Sequence, residues 1–368
     1  MGQMADAPHG EPGEVEEAQE RVLEALVKIY ARTGYGLENG IEPDMDMGAF
    51  REAVRPRGYA EFKPYVGEVL KGGFRALLTS EPEFIGITSG TTGPPKLVPI
   101  PSYDVEHRLR AMGECWSITG ASPMGPCIAP CLPSSISSIR IGDREVPCGY
   151  ISGINAEIMA RLKGLGKLLR PYIEEVNRIG PGVSREVWDK RFRALLKALE
   201  GLNARMALGA APALWMFARW LRENEEAWPK ELWDIELLLV AGVPGIWDYY
   251  RTDLMKMYGE EALFVEAYGA TEGLFAISLP NEPYLVPLYG SYLFEVRVGK
   301  EVKMLYEMRA GEVGSIIIST PVFPRYEIGD LIACYRDGLC FRVLGRDRWL
   351  NRVRIRLSRL LGHLIAFF

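Results

Sequence analysis

Histidine, glutamine and paired cysteines are scarce in this sequence of 368 residues. His9, His107 and His363 are scattered along the chain, and the six cysteines include no CxxC pair, so the clustered ligands of a zinc site are missing. Cys127 and Cys131 are therefore predicted to be buried thiols. The two glutamines, beside plentiful glutamate and arginine, favour a thermophilic source.

Two further absences narrow the class of protein. The formal net charge of −5 lacks the basic excess of a nucleic-acid-binding domain, so we expect small-molecule partners and no nucleic acid. No run approaches the ~20 apolar residues that span a bilayer, and the N-terminus has no apolar segment of the signal-peptide type. The sequence therefore predicts a cytoplasmic protein without a membrane span.

The pattern of apolar residues predicts an α/β fold. Helical spacing over residues 16–34 predicts a packing helix, and Phe84–Thr88 a buried strand that runs into a loop, after which a helix capped by Ser102 begins. Apolar runs at 235–245 and 262–273, joined by a helical segment, predict a βαβ unit. Their loops and the loop after Thr88 are expected to open on one crevice.

Composition also divides the chain. Residues 1–14 read as a disordered lead and 15–288 as an α/β core with parallel sheets flanked by helices. Residues 289–345, with short apolar runs between turn residues, are predicted to form a β-rich subdomain.

The stretch TSGTTGPPK, residues 88–96, is unusually rich in glycine and hydroxyl residues. Such a loop exposes backbone N–H groups that suit phosphate oxygens, and Lys96 can neutralise their charge. The spacing differs from the G-x-x-x-x-G-K-[ST] loop of nucleotide-binding proteins, since Leu97 follows the lysine. A flexible turn is the alternative interpretation.

Four motifs in order carry a family resemblance. TSGTTGPPK resembles the phosphate loop of the adenylate-forming superfamily, and YGATEG at 268–273 is similar to its second core motif. RYEIGD at 325–330 is similar to the ribose-binding motif, and GRDRWLN at 345–351 to the hinge motif. The segments KLVPIPS, PCGYISGINA, AAPALWMFARWLRE and YLFEV look closer to the auxin-responsive acyl acid amido synthetases of plants and their microbial relatives.

The resemblance implies a large N-terminal adenylate-forming domain and an acid–amine ligase. Members activate a carboxylic acid with ATP, release pyrophosphate and pass the acyl group from the adenylate to an amine, commonly an amino acid. ATP and Mg²⁺ are the implied cofactors. Two alternatives stay open: acyl-CoA ligase chemistry, in which coenzyme A is the acceptor, and a nucleotide- or acyl-binding module without catalysis.

The resemblance also implies roles for individual residues. The catalytic candidates are Lys96 on the phosphates, Thr271 at the α-phosphate and Glu272 as the Mg²⁺ ligand, a hard oxygen donor beside phosphates. The nucleotide-binding candidates are Thr88, Ser89, Gly90, Thr91, Thr92, Gly93, Gly242, Val243, Tyr268, Gly269, Ala270, Asp330 and Arg346. Candidates for the acid are Ser134, Ser135, Tyr150 and Ser152.

Three of these residues also have ordinary structural interpretations. Tyr268 would offer adenine a flat face, or would be a core tyrosine. Asp330 would accept hydrogen bonds from the ribose hydroxyls, or would be a turn aspartate after a glycine. Glu272 would bind the metal, or would be a solvated or capping carboxylate at a loop-to-helix junction. Arg346 would contact ribose or phosphate at the hinge.

The C-terminus departs from the family pattern. Members carry a mobile C-terminal domain of about a hundred residues with a catalytic lysine, whereas 17 residues follow Asn351 here. Residues 346–368 are therefore expected to be a hinge and the remnant of a truncated domain, with impaired activity. The apolar end LIAFF is expected to dock on the main body or on a second subunit, which would make a homodimer.

Overall fold

The computed structural model describes residues 12–88, 95–121, 125–162, 165–243, 245–348 and 351. The α-helices of these ranges are α1 Pro12–Tyr30, α2 Gly34–Glu38, α3 Met47–Ala53, α4 Tyr59–Leu70, α5 Ser102–Thr119, α6 Ile151–Met159, α7 Gly166–Ile179, α8 Arg185–Ala198, α9 Ala211–Asn224, α10 Pro229–Leu232 and α11 Arg251–Tyr258. Short 3₁₀ turns lie at Phe74–Ala76 and Leu305–Glu307, and a π turn at Ile246–Tyr250.

The described strands fall into two sheets. They are β1 Pro82–Ile87, β2 Leu97–Pro101, β3 Cys127–Ile128, β4 Ser137–Ile141, β5 Arg144–Tyr150, β6 Met206–Ala210, β7 Leu237–Ala241, β8 Leu263–Ala270, β9 Gly273–Ser278, β10 Leu285–Pro287, β11 Leu293–Val298, β12 Glu301–Met304, β13 Val313–Ser319, β14 Tyr326–Arg336 and β15 Cys340–Arg346. The smaller sheet has the order β2-β1-β5-β4, and the larger has β12-β11-β13-β14-β15-β10-β9-β8-β7-β6-β3. The mixed α/β fold predicted from the sequence is confirmed.

The larger sheet changes from parallel to antiparallel pairing at β8. Strands β3, β6, β7 and β8 run parallel, whereas β8 pairs antiparallel with β9 and the strands beyond follow antiparallel. The predicted βαβ unit is present as β7, α11 and β8. Leu238 and Val240 of β7 and Phe264 and Val265 of β8 are fully buried, because parallel strands covered on both faces need continuous apolar runs.

Helix α1 ties the start of the chain to the antiparallel half of the sheet. Gln19 is fully buried, and its amide donates to the carbonyls of Tyr289 and Tyr292 at 2.7 and 2.8 Å while its oxygen accepts from Phe294 N at 2.8 Å. The side chain thereby satisfies three backbone groups that would otherwise be costly to bury. Residues on either side of position 288, the predicted subdomain boundary, thus belong to one packed body.

The structure corrects two local predictions near the glycine-rich stretch. That stretch joins two antiparallel strands, β1 and β2, rather than a strand and a helix. Ser102 is the first residue of α5, and Pro101 occupies the cap position without a side-chain hydrogen bond. The three loops expected to share a crevice come from two sheets, because β1 belongs to the smaller sheet while β7 and β8 belong to the larger.

The cysteines Cys127 and Cys131 are buried free thiols. Burial raises the pKa of each thiol to about 12, which keeps both protonated at neutral pH. Among the helices of the described ranges, none is long and apolar enough to cross a membrane.

Candidate active site

The glycine-rich loop is closed at its base by two residues. Thr88 N donates to the carbonyl of Lys96 at 3.1 Å, and Lys96 N donates to Thr88 Oγ1 at 2.9 Å. These reciprocal bonds fix Lys96 at the point where the chain re-enters the sheet. The predicted phosphate-binding residues between them, Ser89, Gly90, Thr91, Thr92 and Gly93, lie outside the described residues.

The ammonium group of Lys96 lies among aromatic side chains. Its Nζ donates to the Tyr326 hydroxyl at 3.0 Å and stands 5.3 Å from the centre of the Tyr59 ring and 5.7 Å from that of Tyr326. Tyr59 in turn bonds both the N and the O of Leu97 through its hydroxyl, at 2.9 and 2.8 Å. Within the described ranges Lys96 forms no ion pair, so its charge is available to an anion.

Thr271 and Glu272 form the two-residue turn between β8 and β9, in which Ala270 pairs with Gly273. The loop-to-helix junction considered for Glu272 is therefore wrong, because β8 reverses into another strand. Both turn residues are only 4% exposed. An exposed capping role for Glu272 is thus disfavoured, and the buried carboxylate needs a partner of opposite charge or a hydrogen-bond donor.

A buried ion pair on α5 supports this turn from below. Arg108 Nη2 donates to the Thr271 carbonyl at 2.8 Å, and Arg108 Nε lies 2.9 Å from Asp104 Oδ2. From the other side, β1 approaches so closely that a Cβ on Gly86 would come within 2.6 Å of Thr271 Cγ2. The glycine thus permits the contact between the two sheets at the site.

The Tyr326 hydroxyl lies between the lysine and the turn. It accepts a hydrogen bond from Lys96 Nζ, and the negative charge of Glu272 acts on it. Burial raises the pKa of Tyr326 well above its usual range, and the negative charge of Glu272 raises it further. The phenol therefore keeps its proton, between the ammonium group of Lys96 and the charge of Glu272.

Asp330 lies near these groups and contacts two other predicted residues. Its carboxylate accepts from the Tyr268 hydroxyl at 2.9 Å and lies 3.4 Å from Arg346 Nη1, on the neighbouring strand β15. Burial raises the pKa of Asp330, and the Arg346 charge and the Tyr268 hydrogen bond oppose that effect. The charges of Glu272 and Lys96 act on the same carboxyl, which places all five side chains in one electrostatic neighbourhood.

Tyr268 itself lies in the core. Its side chain is 9% exposed and packs against Phe275 and Phe341, each with ring centres 6.0 Å away. The ring is therefore covered, and its hydroxyl on Asp330 is the part that faces the site. These contacts favour the core-tyrosine interpretation, and the adenine contact of Tyr268 stays a prediction.

The remaining nucleotide-binding candidates shape the backbone at strand ends. Gly242 follows β7 with φ of +95°, a conformation that favours glycine, and a Cβ there would lie 3.2 Å from Ala210 Cβ. Val243 packs partly buried against the core. Gly269 lies so close to the returning strand β9 that a Cβ would come 2.7 Å from Gly273 O.

The four candidates for the acid differ in their contacts. Ser134 is buried and bonds Glu157 at 3.0 Å, while Asn177 accepts from the backbone N of Ser134 and Ser135 at 2.9 and 3.2 Å. These bonds, with Ser152 Oγ accepting from Leu132 N at 3.1 Å, are internal to the fold. Ser134 and Ser152 therefore hold this segment in place through these bonds.

Tyr150, in contrast, is partly exposed and pairs with Ile87, the last residue of β1. It thus stands immediately beside the start of the glycine-rich loop. Of the four acid candidates, Tyr150, Ser135 and Ser152 are partly exposed, whereas Ser134 is buried.

Sequence reasoning missed four side chains that build the site: Tyr59, Tyr326, Asp104 and Arg108. Tyr326 lies inside the motif RYEIGD, so the motif could have predicted that this side chain lies near Asp330. Tyr59 and the Asp104–Arg108 pair carry no motif, and only the packing of α4 and α5 brings them to Lys96 and Thr271.

Solved structures that superpose on this chain include an acyl acid amido synthetase and an acyl-CoA ligase. The AtGH3.15 acyl acid amido synthetase in complex with 2,4-DB superposes with a TM-score of 0.68 at 14% identity, covering 93% of this chain and 72% of that one. An open conformation of 2-hydroxyisobutyryl-CoA ligase, in complex with 2-HIB-AMP and CoA, superposes with a TM-score of 0.58 at 15% identity, covering 93% and 81%. This chain therefore shares its fold with an acyl acid amido synthetase and an acyl-CoA ligase.

Part of the chain also matches the model of a protein family. Residues 13–124 match the GH3 family N-terminal domain. A second structure, GH3.15 acyl acid amido synthetase, superposes with a TM-score of 0.66 at 15% identity over 94% of this chain and 72% of that one. No curated protein sequence matches the chain. The predicted resemblance to acyl acid amido synthetases is confirmed in this segment and in the fold.

Proposed function

We propose that this protein activates a carboxylic acid with ATP to an acyl-adenylate and passes the acyl group to an amine. The observation that carries the proposal is the meeting of Lys96, Glu272 and Asp330 between two sheets. They come from three separate motifs: Lys96 precedes β2, Glu272 lies in the turn between β8 and β9, and Asp330 lies on β14. A cation and two carboxylates in one electrostatic neighbourhood match the parts that a magnesium nucleotide needs.

The chemistry of these side chains fits MgATP. Lys96 has a cation without a carboxylate partner among the described residues, which suits the β- and γ-phosphates. Glu272 would supply a hard oxygen ligand for Mg²⁺. The Asp330 carboxylate, beside Arg346, would accept hydrogen bonds from the ribose hydroxyls. Bound ATP supplies the electrophilic α-phosphate and the leaving pyrophosphate.

The chain's own residues then position the reactants. Thr271 presents its hydroxyl from a turn whose carbonyl is held by Arg108, so a contact with the α-phosphate would be pre-organised. Tyr150 and Ser135, beside the loop base, are the proposed contacts for the acid. Lys96 and Arg346 would stabilise negative charge as pyrophosphate separates, which is the main protein contribution in phosphoryl chemistry.

The acceptor proposed is an amine, with an amino acid as the commonest choice in the resembling branch. Magnesium is proposed as the metal on the strength of the buried Glu272 carboxylate beside Lys96. A cytoplasmic location, a thermophilic source and a homodimer stay predictions. The scarcity of glutamine supports the second of these.

The first test is acid-dependent exchange of radiolabelled pyrophosphate into ATP across a panel of aryl, indole and fatty acids. We expect one class of acid to stimulate exchange and Glu272→Ala to lower it at least about 100-fold, since a buried metal ligand is removed. Adding amino acids or coenzyme A then identifies the acceptor by product mass. Binding of MgATP without exchange under any acid would instead indicate a nucleotide-binding module.

A further inference from the structure

A cavity of about 470 Å³ lies between helices α1 and α5. Its volume is within the range of small-molecule sites in proteins. One wall is the face of α1 that carries Ala18, Val22, Ala25 and Ile29, and Pro321 adds further apolar surface. The four residues of α1 recur at helical spacing, and the two alanines among them have side chains too short to fill the space beside α5. The sequence of α1 thus leaves an apolar hollow against α5.

His107 of α5 lines this cavity with an unmet hydrogen bond. The residue is only 9% exposed, and its Nε2 has no hydrogen-bond partner among the described residues. The imidazole meets the Tyr292 ring edge-on, with ring centres 4.7 Å apart, which holds its plane in place. A buried polar nitrogen without a partner is costly, and native proteins rarely keep one that serves no purpose. The nitrogen therefore marks a place for a hydrogen-bonding group inside the cavity.

The imidazole is uncharged at neutral pH. Burial, together with the charges of Arg110 and Arg108, lowers the pKa of His107 to about 3. A neutral imidazole has one N–H donor and one acceptor nitrogen, and a hydroxyl group can bond to either of them. The Ser291 hydroxyl beside the cavity already donates to Glu114 Oε2 at 2.5 Å, so it does not supply that group. A hydroxyl on a small molecule has the required chemistry.

The charged side chains of the cavity wall lie at its outer edge. Arg21, Glu106 and Arg110 are exposed, and Arg21 pairs with Glu17 at 3.6 Å. Exposed charges are screened by water and salt, so they add little attraction for an ion. A charged group in the apolar interior would lose its hydration without gaining a partner. The cavity therefore suits an uncharged molecule.

The cavity is separate from the candidate active site. His107 lines the cavity, whereas the next residue, Arg108, donates to the Thr271 carbonyl at 2.8 Å. Consecutive residues of an α-helix point about 100° apart, because one turn contains 3.6 residues. The two sites thus lie on different sides of α5.

We propose that the cavity between α1 and α5 is a second binding site, which takes a small, uncharged and largely apolar alcohol or phenol through a hydrogen bond between the ligand's hydroxyl group and His107 Nε2. The apolar face of α1 covers the body of the ligand, whose burial supplies most of the affinity. The hydrogen bond supplies the selectivity, because a ligand without a hydroxyl leaves Nε2 unsatisfied. This ligand class differs from the carboxylic acid of the proposed reaction.

Fluorine NMR titrations of the full chain measure the Kd of para-fluorophenol and of fluorobenzene, which differ in the hydroxyl group alone. Both probes are uncharged at neutral pH, and their binding requires neither ATP nor an acid. In wild type we expect para-fluorophenol to bind about fivefold more tightly than fluorobenzene, the usual size of one neutral hydrogen bond. In His107→Phe, which keeps an aromatic ring but loses Nε2, the two Kd values should agree within about twofold.

A second variant fills the cavity and leaves His107 in place. Ala25 is exposed at the edge of the cavity, so Ala25→Phe should fold and should weaken the binding of both probes at least about tenfold by a steric clash. Ala53→Phe, the same substitution at an exposed position of α3 outside the cavity, is the matched control. Its Kd values should stay within about twofold of wild type.

Three results would each overturn the inference. They are an unchanged preference for para-fluorophenol in His107→Phe, equal binding by Ala25→Phe and Ala53→Phe, and the absence of para-fluorophenol binding by wild type. Pyrophosphate exchange is measured separately, so any of these results leaves the proposed function standing. A failure of exchange likewise leaves this second site in place.

Discussion

Glu266, on β8 four residues before the end of that strand, is predicted to make stability depend on pH. Its carboxylate accepts a hydrogen bond from Trp247 Nε1 at 2.7 Å. Burial raises its pKa from 4.5 to about 7; the Trp247 hydrogen bond and the charge of Arg342 oppose the rise, and the charge of Asp248 adds to it. The folded protein therefore holds this proton more tightly than the unfolded chain.

The sign and size of the effect follow by linkage. Stability from a raised carboxyl pKa is complete below pH 4.5 and is lost as the pH rises through about 7. At about 1.4 kcal/mol per pH unit the whole effect is about 3 kcal/mol, of which about 2 kcal/mol falls between pH 5 and pH 8. Glu266→Gln cannot ionise and should lose this part of the pH dependence.

The assay is urea unfolding at pH 5 and pH 8, with the free energy of unfolding extrapolated to water. The drop between the two pH values should be about 2 kcal/mol smaller in Glu266→Gln than in wild type. Glu260→Gln, which changes an exposed glutamate on the loop before β8, is the control and should keep the wild-type dependence. A Glu266→Gln protein with the full wild-type drop would refute the assignment of the raised pKa to this group.

Two further changes probe the support beneath the Thr271 turn. Asp104→Ala leaves the buried Arg108 without its ion-pair partner and should lower the free energy of unfolding, measured in urea, by about 3–5 kcal/mol. The control Glu186→Gln, which removes one member of an exposed ion pair, should lower it by less than about 1 kcal/mol. Equal losses in the two variants would contradict the burial argument. Gly86→Val places a Cβ where 2.6 Å separates it from Thr271 Cγ2, so pyrophosphate exchange should fall about 100-fold, and unchanged exchange would show that the turn position does not matter.

The sequence predicted those parts of the fold that depend on local patterns of residues. The strands β7 and β8 were recognisable because buried parallel strands are continuous apolar runs. Lys96, Glu272 and Asp330 were recognisable because each lies in a motif with few alternatives, and the structure brings them together. Their individual roles remain predictions until nucleotide binding is measured.

The parts that sequence missed depend on distant packing or on unusual strand composition. β2 contains Pro99 and Pro101, and proline is depleted in strands because it lacks an N–H for the ladder. The second strand of the β1–β2 hairpin was therefore not predicted. Tyr59 meets Leu97 across 38 positions, and Arg108 meets Thr271 across 163. No periodicity links residues so far apart, because their contact is decided by how helices dock on the sheets.

The anchoring of α1 on the far end of the sheet has a consequence for synthesis of the chain. Gln19 bonds Tyr289, Tyr292 and Phe294, and the Tyr30 hydroxyl donates to Thr320 O. At a translation rate of about 5–20 residues per second, the partners of this helix emerge about 15–60 s after it does. During that interval α1 can pack on early segments such as Phe50, which Tyr30 stacks on, but it lacks the part of its native cover that the late strands supply.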